Sequence, residues 1–325
     1  MTEYFRVHHP PRLPKIKIPT LPQLFLDAGG QACRRTIEFL TANIPNPNTR
    51  DAYARAVLRF ARWCEHRQLT LAQLQPYLIA AYIEDLGKLV SAPTVKLHLA
   101  ALRQLFDYLV VGQVMPTNPA SAVRGPKHVV KRGLTPVLTP KEARLLLRSI
   151  DTTTLAGLRD RALIATMIYS FARVTATISM NTEDYFPQGP RRWFRLHEKG
   201  GKRHSVPAHH KAEEYMDAYL LAAGVATAKG TPLFRVIDHK GQVTERRLTR
   251  QKALKMVKRR VRAAGLPSSI CNHSFRATGI TTYLLNGGTL EHAQQIACHE
   301  SPRTTKLYDR TTDEVSLDEI ERIII

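Results

Sequence analysis

Toward the end of this 325-residue chain, four side chains that could act on a phosphodiester stand in order: His273, Arg276, His299 and Tyr308. His273 and Arg276 are three positions apart, so on a helix they share a face and can reach one group together. His299 precedes Tyr308 by nine residues, a short tether between a cation donor and a phenol. A phenol that attacks phosphorus keeps the phosphoryl group in a diester that a later hydroxyl can reverse, so a strand broken this way loses no bond energy. In-line attack also builds charge on the nonbridging oxygens. No carboxylate cage is placed to hold a metal against that charge, whereas guanidinium forks neutralise it bidentately. Arg276 and Arg173 can supply the forks and His299 a third donor. Arg173 follows the apolar stretch Leu158 to Ile168, where an arginine requires a partner; an ion pair with Asp160 or Glu183 is the alternative use. Zinc is the competing reading of the site, since Cys271, His273, Cys298 and His299 are all ligand types, but the customary spacer of two to four residues is absent.

Cys271-Asn272-His273-Ser274-Phe275-Arg276, then Cys298-His299, then Leu307-Tyr308-Asp309 resemble the tyrosine recombinases, the phage-integrase family of site-specific DNA recombinases. The resemblance runs from about residue 35 to 312. It implies a mainly α fold with a small β-sheet, in which a helical core-binding domain and an α+β catalytic domain form a C-shaped clamp on DNA. It implies strand cleavage and rejoining through a 3′-phosphotyrosyl intermediate on Tyr308, in a tetrameric synapse, without metal or nucleotide cofactor. By the same resemblance Arg173 is the first catalytic arginine, His273 accepts the phenol's proton, and Lys199 gives a proton to the departing 5′ oxygen, with Lys202 as the substitute. The chain departs from the family at four places. Ser170-Phe171-Ala172 replaces Thr-Gly-Leu, Ala176 replaces an acid, Cys298 replaces glycine and Ala277 replaces histidine. A relaxing topoisomerase of the same chemistry and a non-catalytic DNA-binding regulator on the same scaffold are the alternatives. Retention of all six catalytic-type residues argues against the second.

Composition bears on the partner. The net charge of +21 points to a polyanion, double-stranded DNA above all. No long apolar run or signal peptide speaks for a membrane. Four scattered cysteines form no disulfide framework, which fits a reduced cytoplasmic setting.

The elements that must position these groups can be read along the chain. Residues 1–30 are proline-rich and basic and read as an extended arm. Residues 31–115 read as the helical DNA-binding domain. Asn48 to Asp51 offers caps before a stripe of Tyr53, Val57, Phe60, Ala61 and Cys64, flanked by Arg50, Arg55, Arg59 and Arg62. Ser91-Ala92-Pro93 opens a second helix over Val95, Leu99, Leu102, Phe106 and Leu109, with Lys96 and Arg103 outside. Residues 116–138, rich in proline and glycine and including Lys127, read as a basic linker. Thr139 to Glu142 forms a capping box that starts the catalytic domain, residues 139–312. Trp193 to Leu196 and His204 to Val206 read as a hairpin that presents Lys199 and Lys202 at its tip. From Lys240 to Arg262 ten basic residues stand against one acid. This run reads as an amphipathic helix with Leu254, Val257 and Val261 inward and Arg246, Arg247, Arg250, Lys252, Lys255 and Arg259 available to phosphates. Residues 313–325 reverse the charge balance and carry Val315, Leu317, Ile320, Ile323 and Ile324. The resemblance implies that this tail docks on a neighbouring protomer.

Overall fold

Hydrophobic periodicity divides the chain into two cores, and the computed structural model follows that division with one unit at Met1–Val129 and another at Val130–Ile325. The residues it describes are 21–128, 133–198, 201–225, 229–310 and 320–321.

The first unit is helical. Its elements are α1 (Gln23–Leu26), α2 (Gly30–Glu38) with a π-helical turn at Phe39–Asn43, α3 (Pro47–Glu65), α4 (Pro76–Leu89) and α5 (Ala92–Val111). Helix α3 starts one turn earlier than the sequence suggests, because Asn46 caps it by accepting from the backbone N–H of Asn48 and Thr49, and Pro47 sits in the first turn, where a missing N–H costs nothing. The apolar stripes of α3 and α5 face each other. Phe60 meets the ring edges of Tyr82 at 5.0 Å and Phe106 at 5.9 Å, geometry that adds about 1 kcal/mol per pair to simple burial. Leu24 and Phe25 are buried in the same core, so of the arm expected over residues 1–30, positions 21–30 are folded, and residues 1–20 lie outside the described residues. The stretch expected to be linker is shorter too. Met115, Ala120 and Val123 belong to the first core and Leu138 to the second.

The second unit is built around α7 (Leu155–Tyr169), which is buried on all sides rather than along one stripe. Its one acid, Asp160, is fully buried and accepts from Arg159, Arg259 and Arg260, so three guanidinium groups offset the desolvation of one carboxylate and tie α10 (Arg250–Ala263) to α7. Helix α6 (Pro140–Arg148) opens with the expected capping box: Thr139 Oγ1 accepts from the Glu142 N–H at 3.2 Å and Glu142 accepts from the Thr139 N–H at 2.8 Å. After α7 come the short α8 (Val174–Ser179) and an antiparallel meander of β1 (Tyr185–Gln188), β2 (Arg191–His197) and β3 (Arg203–Pro207). The expected hairpin is β2–β3, with Phe194 opposite Val206; β1 is an added strand. Helix α9 (His210–Ala223) follows.

Lys240 to Arg262 is not one helix. Val243–Arg247 is strand β5, paired with β4 (Arg235–Ile237), and α10 begins only at Arg250 behind a Thr249 cap. On α10 the inward stripe is Ala253, Met256, Val257 and Val261, which leaves Leu254 38% exposed. The last elements are α11 (Asn272–Leu285), α12 (Leu290–Ala297) and α13 (Pro302–Lys306). Helix α11 crosses α7 at Gly279, where a Cβ would stand 2.0 Å from the Ile168 carbonyl oxygen, so only glycine permits the approach. Among the described residues no helix is long and apolar enough to cross a membrane.

Candidate active site

The close crossing of α7 and α11 seats Arg276, one turn before Gly279, beneath the end of α7. Arg276 is 1% exposed, and among the described residues no carboxylate forms an ion pair with it. Its Nη1 donates to the carbonyl of Phe171 and its Nη2 to the carbonyl of Ala297 at 2.6 Å. Both carbonyls are aimed by unusual backbone: Phe171 has φ 53°, and Cys298, directly after Ala297, has φ 49°. The Nε of Arg276 is buried without a hydrogen-bond partner among the described residues. Burial, and after it the charge of Arg173, pulls the guanidinium down to about 10, still cationic at neutral pH. The result is a rigidly held cation with an unused donor.

Tyr308 follows α13 and is 8% exposed. Its backbone is fixed from both sides. Thr281 Oγ1 on α11 donates to the Tyr308 carbonyl at 2.9 Å, and the Gly133 N–H donates to the Leu307 carbonyl at 2.9 Å. The phenol oxygen lies 2.9 Å from Nε2 of His273, at the start of α11. Burial, then the charges of Arg276 and Arg173, lowers the His273 pKa, which keeps the imidazole neutral and able to accept a proton. His299 stacks on the Tyr308 ring at 5.8 Å and 7°, and its Nδ1 lies 2.9 Å from Thr305 Oγ1. Burial first, then the same two arginines and His273, pushes His299 down to about 3, so it acts as a neutral imidazole.

Arg173 caps α8 and pairs with Glu198, not with Asp160 or Glu183. Its side chain remains 34% exposed while that of Glu198 is 2% exposed. Lys199 lies outside the described residues. Lys202, directly before β3, pairs with Glu300 at 2.9 Å. Five of the six expected catalytic residues are therefore described. His273, His299 and Tyr308 stack or hydrogen-bond with one another, and the charges of Arg173 and Arg276 act on both imidazoles. Sequence reasoning missed Glu198, Thr281 and Thr305. Glu198 carried a signal, an acid at the next inward-facing position directly after β2, whereas the two threonines carried none.

The cysteines and histidines of the zinc reading are used otherwise. Cys271 joins a capping box with Ser274, Cys298 ends α12, and both histidines contact Tyr308. Among the described residues no group of three or more His, Cys, Asp or Glu side chains is placed to hold a metal ion.

The cations expected to meet DNA fall into two sets. Arg50 donates to the Ile44 carbonyl, Arg103 to those of Ala120 and Val123, and Arg247 to those of Ile178 and Met180. These three are structural ties, because a guanidinium near an unsatisfied carbonyl is drawn there first. Arg55 pairs with Asp51 and Arg259 with Asp160, both from exposed positions. Arg59, Arg62, Lys96, Lys127, Arg246, Arg250, Lys252 and Lys255 are exposed.

Known proteins resemble this chain in sequence and in fold. Residues 136–314 match the phage integrase family and residues 44–112 match the phage integrase N-terminal SAM-like domain. The chain is 30% identical over 235 residues to tyrosine recombinase XerD of Listeria monocytogenes, covering 71% of this chain and 75% of that one. In fold it resembles the XerH site-specific recombinase bound to its difH substrate (TM-score 0.65, 20% identity, 84% of this chain and 78% of that one). It also resembles a lambda integrase dimer bound to a core site (TM-score 0.65, 18% identity, 88% and 79%). The chain belongs to the phage integrase family, the tyrosine recombinases. It is an enzyme of site-specific DNA recombination that cleaves and exchanges strands by tyrosine transesterification, which sets aside the relaxing-topoisomerase and non-catalytic readings.

Proposed function

We propose that Tyr308 attacks the scissile phosphate and becomes linked to the 3′ end of the broken strand. The observation that carries this assignment is the 2.9 Å contact between the phenol and Nε2 of a neutral His273, which puts a base on the one proton that must leave. Charge on the nonbridging oxygens falls to Arg276, through its unpartnered Nε, and to Arg173. A Thr305 hydroxyl donating to Nδ1 of His299 leaves the proton on Nε2, so His299 offers a neutral third donor. Protonation of the departing 5′ oxygen is assigned to Lys199 by family resemblance, with Lys202 the substitute. No metal or nucleotide is required by these steps.

In this reading the exposed cations of α3, α5 and α10, with Lys127 and Arg246, hold the phosphate backbone, and the tied arginines organise the surfaces that carry them. Two DNA sites are brought together by four copies of the chain in the cytoplasm of a cell that carries the site pair, for instance on a mobile element. The apolar, acidic tail docks on a neighbouring copy in a closed ring. A DNA substrate nicked next to the cleavage position tests the chemistry. Wild-type protein is expected to trap a covalent adduct and Tyr308→Phe to bind the site with unchanged affinity and trap none; an adduct from the Phe variant would assign the attack to another group.

A further inference from the structure

Strand β2 buries Phe194 and Leu196 fully, and the period-two alternation makes position 198 the next inward one. There the chain places a carboxylate. Glu198 is 7% exposed; its Oε2 pairs with Nη1 of Arg173 and its Oε1 is buried without a hydrogen-bond partner among the described residues. Its backbone N–H donates to the Lys202 carbonyl at 2.7 Å and so closes the base of the β2–β3 turn. Hydrophobic packing does not call for an acid at this place, and a buried carboxylate is costly unless a cation holds it. On α8, Ala176 is buried in the main core, so the helix that Arg173 caps supplies no acid three residues on.

We propose that Glu198 is the positioning residue of Arg173: it fixes the guanidinium from the strand side so that its remaining donors face the phosphate, and it offsets the repulsion between Arg173 and Arg276. This inference rests on the reading of the site given above. A guanidinium has five donors in a rigid fork, so giving Nη1 to a carboxylate leaves enough for a bidentate grip on two phosphate oxygens. Arg173 would otherwise share the site with a second buried guanidinium and two imidazoles, and nothing else described there is anionic. Held by Glu198, it is oriented before DNA arrives.

A double-mutant cycle on adduct formation tests this, with site binding and thermal melting measured alongside. Glu198→Gln keeps shape and removes charge; it is expected to slow adduct formation by about tenfold with site binding changed less than about twofold. In an Arg173→Ala background the same substitution should change the rate by less than about twofold, because its target is gone. Losses that multiply independently would overturn the role, and so would a faster Glu198→Gln enzyme, which would make the carboxylate a mask. Glu198→Asp, with the charge drawn back on a shorter stem, runs the same cycle if the amide variant fails to fold. Wild-type protein separates the two ideas. No adduct from wild type contradicts the phosphotyrosyl reading, whereas a wild-type adduct with additive losses contradicts only the role of Glu198.

Discussion

Phe171 and Cys298 adopt the same left-handed backbone, φ 53° and 49°, at the two turns that deliver the carbonyls holding Arg276. These are the positions where the sequence departs from a family glycine. Neither residue is glycine, so the chain carries strain at both. At Phe171 the ring repays part of it, being 4% exposed and packed edge-on to Tyr283 at 5.9 Å. Cys298 is only half-buried. Cys298→Gly is therefore expected to stabilise the protein by roughly 1 kcal/mol in urea unfolding, while Phe171→Gly destabilises it through the lost ring. A destabilised Cys298→Gly would show that the thiol contributes more than its backbone costs.

The pH dependence of cleavage should report His273. Its pKa is lowered by burial and by two arginines, and the neutral form is the one that accepts the phenol's proton. Single-turnover adduct formation is expected to reach its half-point below the ordinary histidine value of about 6.5. A half-point at or above the ordinary value would contradict it. Stability carries the same sign. The unfolded chain binds protons at His299 below about pH 6.5, and the folded one does so only near about 3. Stability should therefore fall as pH drops through that window, and less steeply in His299→Asn.

Arginine replacement should separate binding from chemistry. Arg173→Ala and Arg276→Ala are expected to slow adduct formation by about a hundredfold or more while site affinity, read by gel shift, changes far less. Lysine at either place should restore little, because a point charge cannot copy a fork whose Nη atoms already serve two carbonyls at Arg276. Arg276→Ala should also lower the melting temperature by stranding those carbonyls. Cleavage at the wild-type rate by the Arg173 variant would remove that residue from the site.

Truncation after Thr312 tests the tail. The shortened protein is expected to fold and bind one site but to form no two-site complex and no recombinant product, measured by native gels with one-site and two-site DNA. Full synapsis by the truncated chain would refute docking between protomers; a misfolded product would place the tail on its own domain.

Much of this was legible in the sequence because local rules decided it. The Thr139–Glu142 box, the α5 stripe and the β2–β3 hairpin are set by residues close in sequence. What escaped depended on distance. Asn46 outcompeted the later caps once Pro47 fitted the first turn, and β5 formed inside the basic run because β4 offered it a partner. Arg103 and Arg247 looked like free cations until distant carbonyls came within reach. The order of His273, Arg276, His299 and Tyr308 was legible, but the partner of Arg173 was not, since the residue that follows β2, 25 positions later, supplies it.

The most direct test of the central claim is the identity of the linked atom. The trapped adduct should be digested with trypsin and its nucleotide-bearing peptide sequenced by mass spectrometry. Lys306 and Arg310 bound a short peptide, Leu307 to Arg310, with Tyr308 as its sole hydroxyl-bearing residue. That peptide, joined to the 3′ phosphate of the cleaved strand, is the expected product. Linkage to any other residue, or to a 5′ phosphate, would contradict the assignment of Tyr308.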